Sequence, residues 1–105
     1  MDKVDKLLLK IGVPPHMKGY EYIKAALKVE SARMMDVYEQ VGRELYAAPV
    51  SVERAMRHAV EAAFDRMAPE VQKEIFGAVV DPKRGKATNK AFLMVLRLHL
   101  KEAKA

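Results

Sequence analysis

The sequence predicts an all-α protein, a compact bundle of about six helices containing a helix-turn-helix. Apolar residues recur at intervals of three and four along nearly the whole chain, and no stretch alternates as a strand does. Seven methionines and many alanines favour helix over sheet. No repeat, low-complexity tract or linker divides the 105 residues, half of which are apolar. A chain of this size buries roughly 65% of the surface its unfolded form exposes. One domain with one core, spanning residues 1–105, is therefore expected, and it needs no metal or disulfide to fold.

A first helix is expected over residues 4–11, with Val4, Leu7, Leu8 and Ile11 on one face. Gly12, Val13, Pro14 and Pro15 end it, since neither proline can continue the hydrogen-bond ladder. A second helix starts near Lys18 and carries Tyr20, Ile23 and Leu27 on its apolar stripe, with Tyr22 and Ala26 beside them. Residues 28–35 contain no glycine or proline, so this helix can run straight on. A break near Glu30 and Ser31 is the preferred reading, with Ser31 capping a third helix. That helix reaches about Leu45 and turns Met34, Val37, Tyr38, Val41 and Leu45 inward.

Tyr46, Ala47 and Ala48 form a tight connection. Pro49 suits the first position of a fourth helix, where its missing N–H is no loss, and the helix runs to about Arg66. Pro69 starts a short fifth helix and Gly77 terminates it. Residues 81–87 form a polar basic loop holding Lys83, Arg84 and Lys86. Thr88 caps a last helix that directs Phe92, Val95, Leu96 and His99 inward.

Composition narrows the function classes. The absence of cysteine excludes a disulfide framework and a thiolate zinc site, and it fits a reducing compartment. No apolar run approaches the roughly 20 residues of a membrane helix. The charged start and the short Leu7–Leu9 run do not make a signal peptide, so a cytoplasmic location is expected. A net charge of +5 and a pI near 9.5 favour polyanions such as nucleic acid or acidic headgroups.

The fourth helix divides into two faces. Val52, Ala55, Met56, Ala59, Val60, Ala63 and Met67 share one side. Arg54, Arg57, His58 and Glu61 share the other, with Glu53 flanking them. Val41 and Leu45 of the preceding helix are expected to pack towards Val52 and Ala55. Gly42 is assigned to the crossing, where close approach of the next helix offsets the cost of about 1 kcal/mol for a mid-helix glycine. Residues 34–66 then read as a helix-turn-helix whose second helix, 51–66, enters a major groove.

A guanidinium fork matches O6 and N7 of guanine. Arg54 and Arg57 are accordingly candidate guanine readers or near-base phosphate clamps. Glu53 can accept from a cytosine amino group or orient a neighbouring arginine, and His58 can meet a phosphate or a base edge. The helix is near neutral, because Glu53, Glu61 and Asp65 oppose Arg54, Arg57 and Arg66. This balance points to geometry-based reading rather than adhesion. On pattern alone, a merely solvated face carries equal weight.

A resemblance tips that balance. It lies in Ile11-Gly12-Val13-Pro14-Pro15-His16-Met17-Lys18-Gly19-Tyr20-Glu21-Tyr22, in Val52-Glu53-Arg54-Ala55-Met56-Arg57-His58-Ala59-Val60-Glu61, and in Phe76-Gly77 followed by Lys86-Ala87-Thr88-Asn89 and Phe92. In order and approximate spacing these resemble the C-terminal effector domain of the stage-zero sporulation response regulator, which starts sporulation in endospore-forming bacteria. The resemblance implies about six helices around a helix-turn-helix. It also implies sequence-specific promoter binding, with head-to-tail occupancy of tandem sites close to TGTCGAA, and activation or repression of transcription.

Carried over by position, Glu53, Arg54, Arg57 and His58 match the DNA-contacting part of the reading helix, and Lys86 matches a basic loop residue. Ser51 stands where the family has a DNA-contacting arginine, and Ala48 where a threonine caps the reading helix. The stretch between Leu27 and Val37 is shorter than in the family. The 105 residues contain no receiver domain, so phosphorylation is not expected to switch this chain directly, whether it is an isolated domain or a self-standing relative.

The expected DNA-binding set is thus Ser51, Glu53, Arg54, Arg57, His58 and Lys86. Expected partners are double-stranded promoter DNA, a second copy on tandem sites, and RNA polymerase or a sigma factor, with no membrane. No cofactor or metal is expected: His16, His58 and His99 are far apart with no carboxylate at ligand spacing. Glu21, Glu39, Glu61 and Glu70 form no acid–base pair, and there is neither a nucleophile context nor a phosphate-cradling loop, so no enzyme is expected. The alternative is a protein-interaction module that pairs with, or inhibits, a full-length regulator.

Overall fold

A computed structural model describes residues 2–77, 79–80 and 85–102. Among them the chain forms α1 (Lys3–Lys10), α2 (Lys18–Ala26), α3 (Met34–Leu45), α4 (Pro49–Arg66), α5 (Pro69–Phe76) and α6 (Asn89–Glu102), and no strand. The fold is all-α, as the periodicity predicts. Lys83 and Arg84 of the expected basic loop lie outside the described residues.

The longest helix, α4, is the centre of the bundle and packs on α2, α3 and α6. The core gathers Leu8 and Ile11, then Ile23 and Ala26 of α2, Val37 and Val41 of α3, and Val52, Met56, Ala59 and Ala63 of α4, all fully buried. Gly19 of α2 makes the closest crossing: a Cβ there would strike the Ala55 carbonyl and the Ala59 side chain of α4. Gly42 plays a different part from the one its sequence position suggests. A Cβ there would meet the Ala47 carbonyl in the turn, so its bareness admits the turn rather than the next helix.

Aspartate and tyrosine pin the first helix. Asp2 caps α1 by accepting from the Asp5 amide at 2.8 Å. The Tyr20 hydroxyl donates to Asp5 Oδ1 at 2.7 Å, and Lys24 Nζ lies 2.9 Å from the same oxygen. Burial first, and the bond to Asp5 second, raise the Tyr20 hydroxyl well above its ordinary pKa. The bonds from Tyr20 and then Lys24 lower that of Asp5.

The expected break occurs, with the chain outside any helix over residues 27–33. Its chemistry differs from a serine cap. Arg33 is the N-cap of α3 and gives no side-chain cap bond. Ser31 sits too far upstream: its Oγ accepts from the Arg33 amide at 3.2 Å and donates to Asp36 Oδ2 at 3.0 Å. Arg97 of α6 closes the other side of the break, donating to the carbonyls of Ala26 (2.9 Å) and Val29 (3.1 Å). The Ala26 carbonyl also takes the Val29 amide at 3.1 Å, so Arg97 adds a second donor there and supplies one to the Val29 carbonyl.

One helix end and one helix face differ in detail from the sequence expectation. Gly77 follows α5, but in a right-handed conformation (φ −49°, ψ −37°), so no left-handed glycine ends that helix. In α6, Phe92 and Leu96 are buried and Val95 and His99 are half-buried, as expected. Leu93, absent from the predicted stripe, is fully buried too. The three phenylalanines meet in one cluster, Phe64 edge-on to Phe76 (centroids 5.1 Å apart) and Phe76 stacked on Phe92 (5.3 Å), which locks α4, α5 and α6 together.

Candidate nucleic-acid interface

The interface begins with the turn that aims α4. After Leu45 the chain passes through Tyr46 in the left-handed region (φ 58°, ψ 50°), and the Ala47 amide bonds back to the Gly42 carbonyl at 2.9 Å. Tyr46 is 96% exposed, so its conformation comes from backbone demand rather than from packing. Ala48 is the N-cap of α4 and offers no side-chain acceptor. Pro49 at the first helical position fixes φ without sacrificing a needed donor.

From there α4 separates its faces as its spacing predicts. Val52, Met56, Ala59, Val60 and Ala63 are buried, Ala55 is half-buried, and Met67 is buried just past the helix end. Ser51, Arg54, Arg57 and His58 are exposed, and Glu53 and Glu61 are half-buried. At 3.6 residues per turn the outer residues fall into two rows. Ser51, Arg54 and His58 form one; Glu53, Arg57 and Glu61 form the other.

The second row is an ion-pair chain. Arg57 Nε donates to Glu53 Oε2 at 3.0 Å, and its Nη1 lies 4.0 Å from Glu61 Oε1. Lys86 Nζ reaches the same Glu61 oxygen at 3.1 Å. The hydrogen bond from Lys86 is the largest influence on Glu61 and holds its carboxyl below the usual glutamate range. The bond to Glu53 likewise raises the pKa of Arg57. Among the described residues Arg54 enters no ion pair.

Lys86 is delivered to α4 by a built connection. Ala87 is buried, and Thr88 caps α6 by accepting from the Ala91 amide at 3.2 Å, as its position predicts. The next residue, Asn89, is only 9% exposed. Its Nδ2 donates to the Tyr38 hydroxyl of α3 (3.1 Å) and to the Glu53 carbonyl of α4 (3.3 Å). A depression of about 270 Å³ remains between α3, α4 and this connection, lined by Tyr38, Glu53, Arg57, Glu61, Lys86 and Lys90 among others.

The structure therefore joins Glu53 to Arg57 directly and Arg57 to Lys86 through Glu61, and sets Arg54, His58 and Ser51 in the neighbouring row. Ser51 lies about 15 Å along the helix axis from Glu61, ten residues away, so it belongs to the opposite end of the face from Lys86. Sequence reasoning missed Asn89 and Tyr38 as the residues that carry Lys86 to the helix. No local signal marks Asn89 for this task, because its partners lie 51 and 36 positions away in the chain.

Residues 4–100 match the model of the family described as "Sporulation initiation factor Spo0A C terminal". The chain belongs to this family. The Spo0A C-terminal match runs from α1 into the last turns of α6 and takes in every segment on which the sequence resemblance rests. It makes this protein a DNA-binding effector domain of the sporulation response-regulator type, in a family of transcription regulators rather than of enzymes. No helix of the described residues is long and apolar enough to cross a membrane.

Proposed function

We infer that this Spo0A-type effector domain reads duplex DNA with the outer face of α4 laid in the major groove, residues 34–66 acting as the helix-turn-helix. The single observation that carries the reading is the placement of Arg54, Arg57 and His58. They project together from a helix whose other face is sealed in the core immediately after a three-residue turn. Arg54 and Arg57 meet base edges, chiefly guanine O6 and N7. Glu53 holds the Arg57 fork in plane, a task that carboxylate–guanidinium geometry suits. His58 and Ser51 line the groove walls, and Lys86 takes a phosphate.

A second copy, head-to-tail on a tandem site, and RNA polymerase or a sigma factor complete the proposed assembly on a promoter. Residues 1–105 act as one domain in this role. Selection of bound sequences from a random duplex pool tests the proposal. The chain alone is expected to enrich one short box related to TGTCGAA. No shift with the chain alone, combined with an altered shift when it is mixed with a full-length relative, would replace the reading by that of an interaction module.

A further inference from the structure

Within that reading, one side chain stands out that carries negative charge where a polyanion is to bind. Glu61 is half-buried, and its Oε1 alone serves both Lys86 (3.1 Å) and Arg57 (4.0 Å). The two cations come from different places, one from α4 and one from the connection before α6. Asn89 bonds hold that connection against Tyr38 and Glu53. The carboxylate is thus a deliberate bridge in a fixed frame, and it stays ionised because its cationic neighbours hold it below the usual range.

We propose that Glu61 is a specificity-determining residue that suppresses binding to arbitrary duplex by occupying Lys86 and Arg57 until a matched site competes for them. The inference rests on the α4 reading above. Its physical basis is counterion release: sequence-independent affinity grows with each phosphate neutralised by a free cation. A lysine already paired to a carboxylate displaces little condensed counterion, and a phosphate drawn to it must also face that carboxylate. Random duplex offers nothing to offset this. A matched site does, because base-edge hydrogen bonds to an arginine held in plane by Glu53 form only there. Removing the charge should free Lys86 for any phosphate and loosen the Arg57 fork at the same time.

The test measures affinity of Glu61→Gln and parent for a duplex carrying TGTCGAA and for a scrambled duplex, at about 50 and about 200 mM salt. One added phosphate contact steepens the log–log salt slope by about 0.9, or roughly a 3.5-fold larger loss across that fourfold range. Glu61→Gln is expected to bind the scrambled duplex more tightly at low salt and to show this steeper slope. The ratio of matched to scrambled affinity should fall by about threefold or more. Adding Lys86→Ala should abolish the slope gain, and Glu61→Asp, which keeps the charge, should retain the parent slope.

An unchanged slope, an unchanged ratio, or a gain that survives Lys86→Ala overturns the proposal. A merely structural role predicts instead a lower melting temperature, with both affinities falling and the slope constant. Arg57→Ala measured in parallel separates the two readings. If it weakens matched binding selectively while Glu61→Gln does nothing, only the role of Glu61 fails. If Arg57→Ala costs the same on both duplexes, the α4 reading itself fails.

Discussion

Lys86 shows how little of a side chain's role is written in its own neighbourhood. Local sequence places it in a basic loop, and local sequence alone would leave it in water. The structure sets it against Glu61, 25 positions away, through a connection anchored by Asn89. In the proposed role its charge is what meets a phosphate. In the Glu61→Gln background, where no carboxylate holds the amine, Lys86→Ala is expected to weaken matched and scrambled duplex alike and to lower the salt slope by about 1; an unchanged slope there would contradict a phosphate role. Asn89 is a residue that pattern reading could not have found, because its two partners lie 51 and 36 positions upstream. Asn89→Ala leaves the Tyr38 hydroxyl and the Glu53 carbonyl short of a donor, and should cost about 1–2 kcal/mol in a urea titration.

At the level of elements, the face division of α4 was legible because it depends only on a repeat of three and four and on the contrast between alanine or valine and arginine. The α2–α3 break was legible in place but not in cause. A serine near Glu30 suggests a local cap, whereas the ends are closed by Arg97 from a helix 68 or more positions later. The glycine of the close crossing was misassigned for a similar reason. Gly42 and Gly19 are both helical glycines in sequence, and only the packing of α2 on α4 shows that Gly19 meets Ala55 and Ala59. Gly19→Ala should therefore destabilise the fold by about 1–2 kcal/mol net, overpacking exceeding the gain in helix propensity. A stabilised Gly19→Ala protein would show that α2 and α4 can move apart freely.

For the molecule as a whole, fold class and family came readily from the sequence, since helical periodicity runs through nearly all of it and three motif-bearing stretches are spread along the chain. The titration behaviour did not, because it depends on contacts between elements. Tyr20 has its folded pKa raised, so its contribution is complete below the unfolded value of about 10 and is lost as pH rises beyond it. Urea midpoints should fall more steeply above about pH 10 in the parent than in Tyr20→Phe. Equal slopes would contradict a buried, Asp5-bound hydroxyl. Asp5 and Glu61 act in the opposite sense: their folded pKa values are lowered, so their contributions hold above the normal carboxylate range and fade as pH falls through the lowered values. Both are solvent-accessible pairs, so the acid-side loss is small and weakens further in salt.

The central claim is that α4 reads bases with Arg57 from a face opposite the core. The most direct measurement is the change in binding free energy on Arg57→Ala, for a duplex carrying the selected box and for a scrambled one, in the same buffer. A loss of about 1–3 kcal/mol confined to the box, with relaxed preference at one base pair, is the predicted result. Equal losses on both duplexes would reduce Arg57 to a phosphate contact and contradict the account.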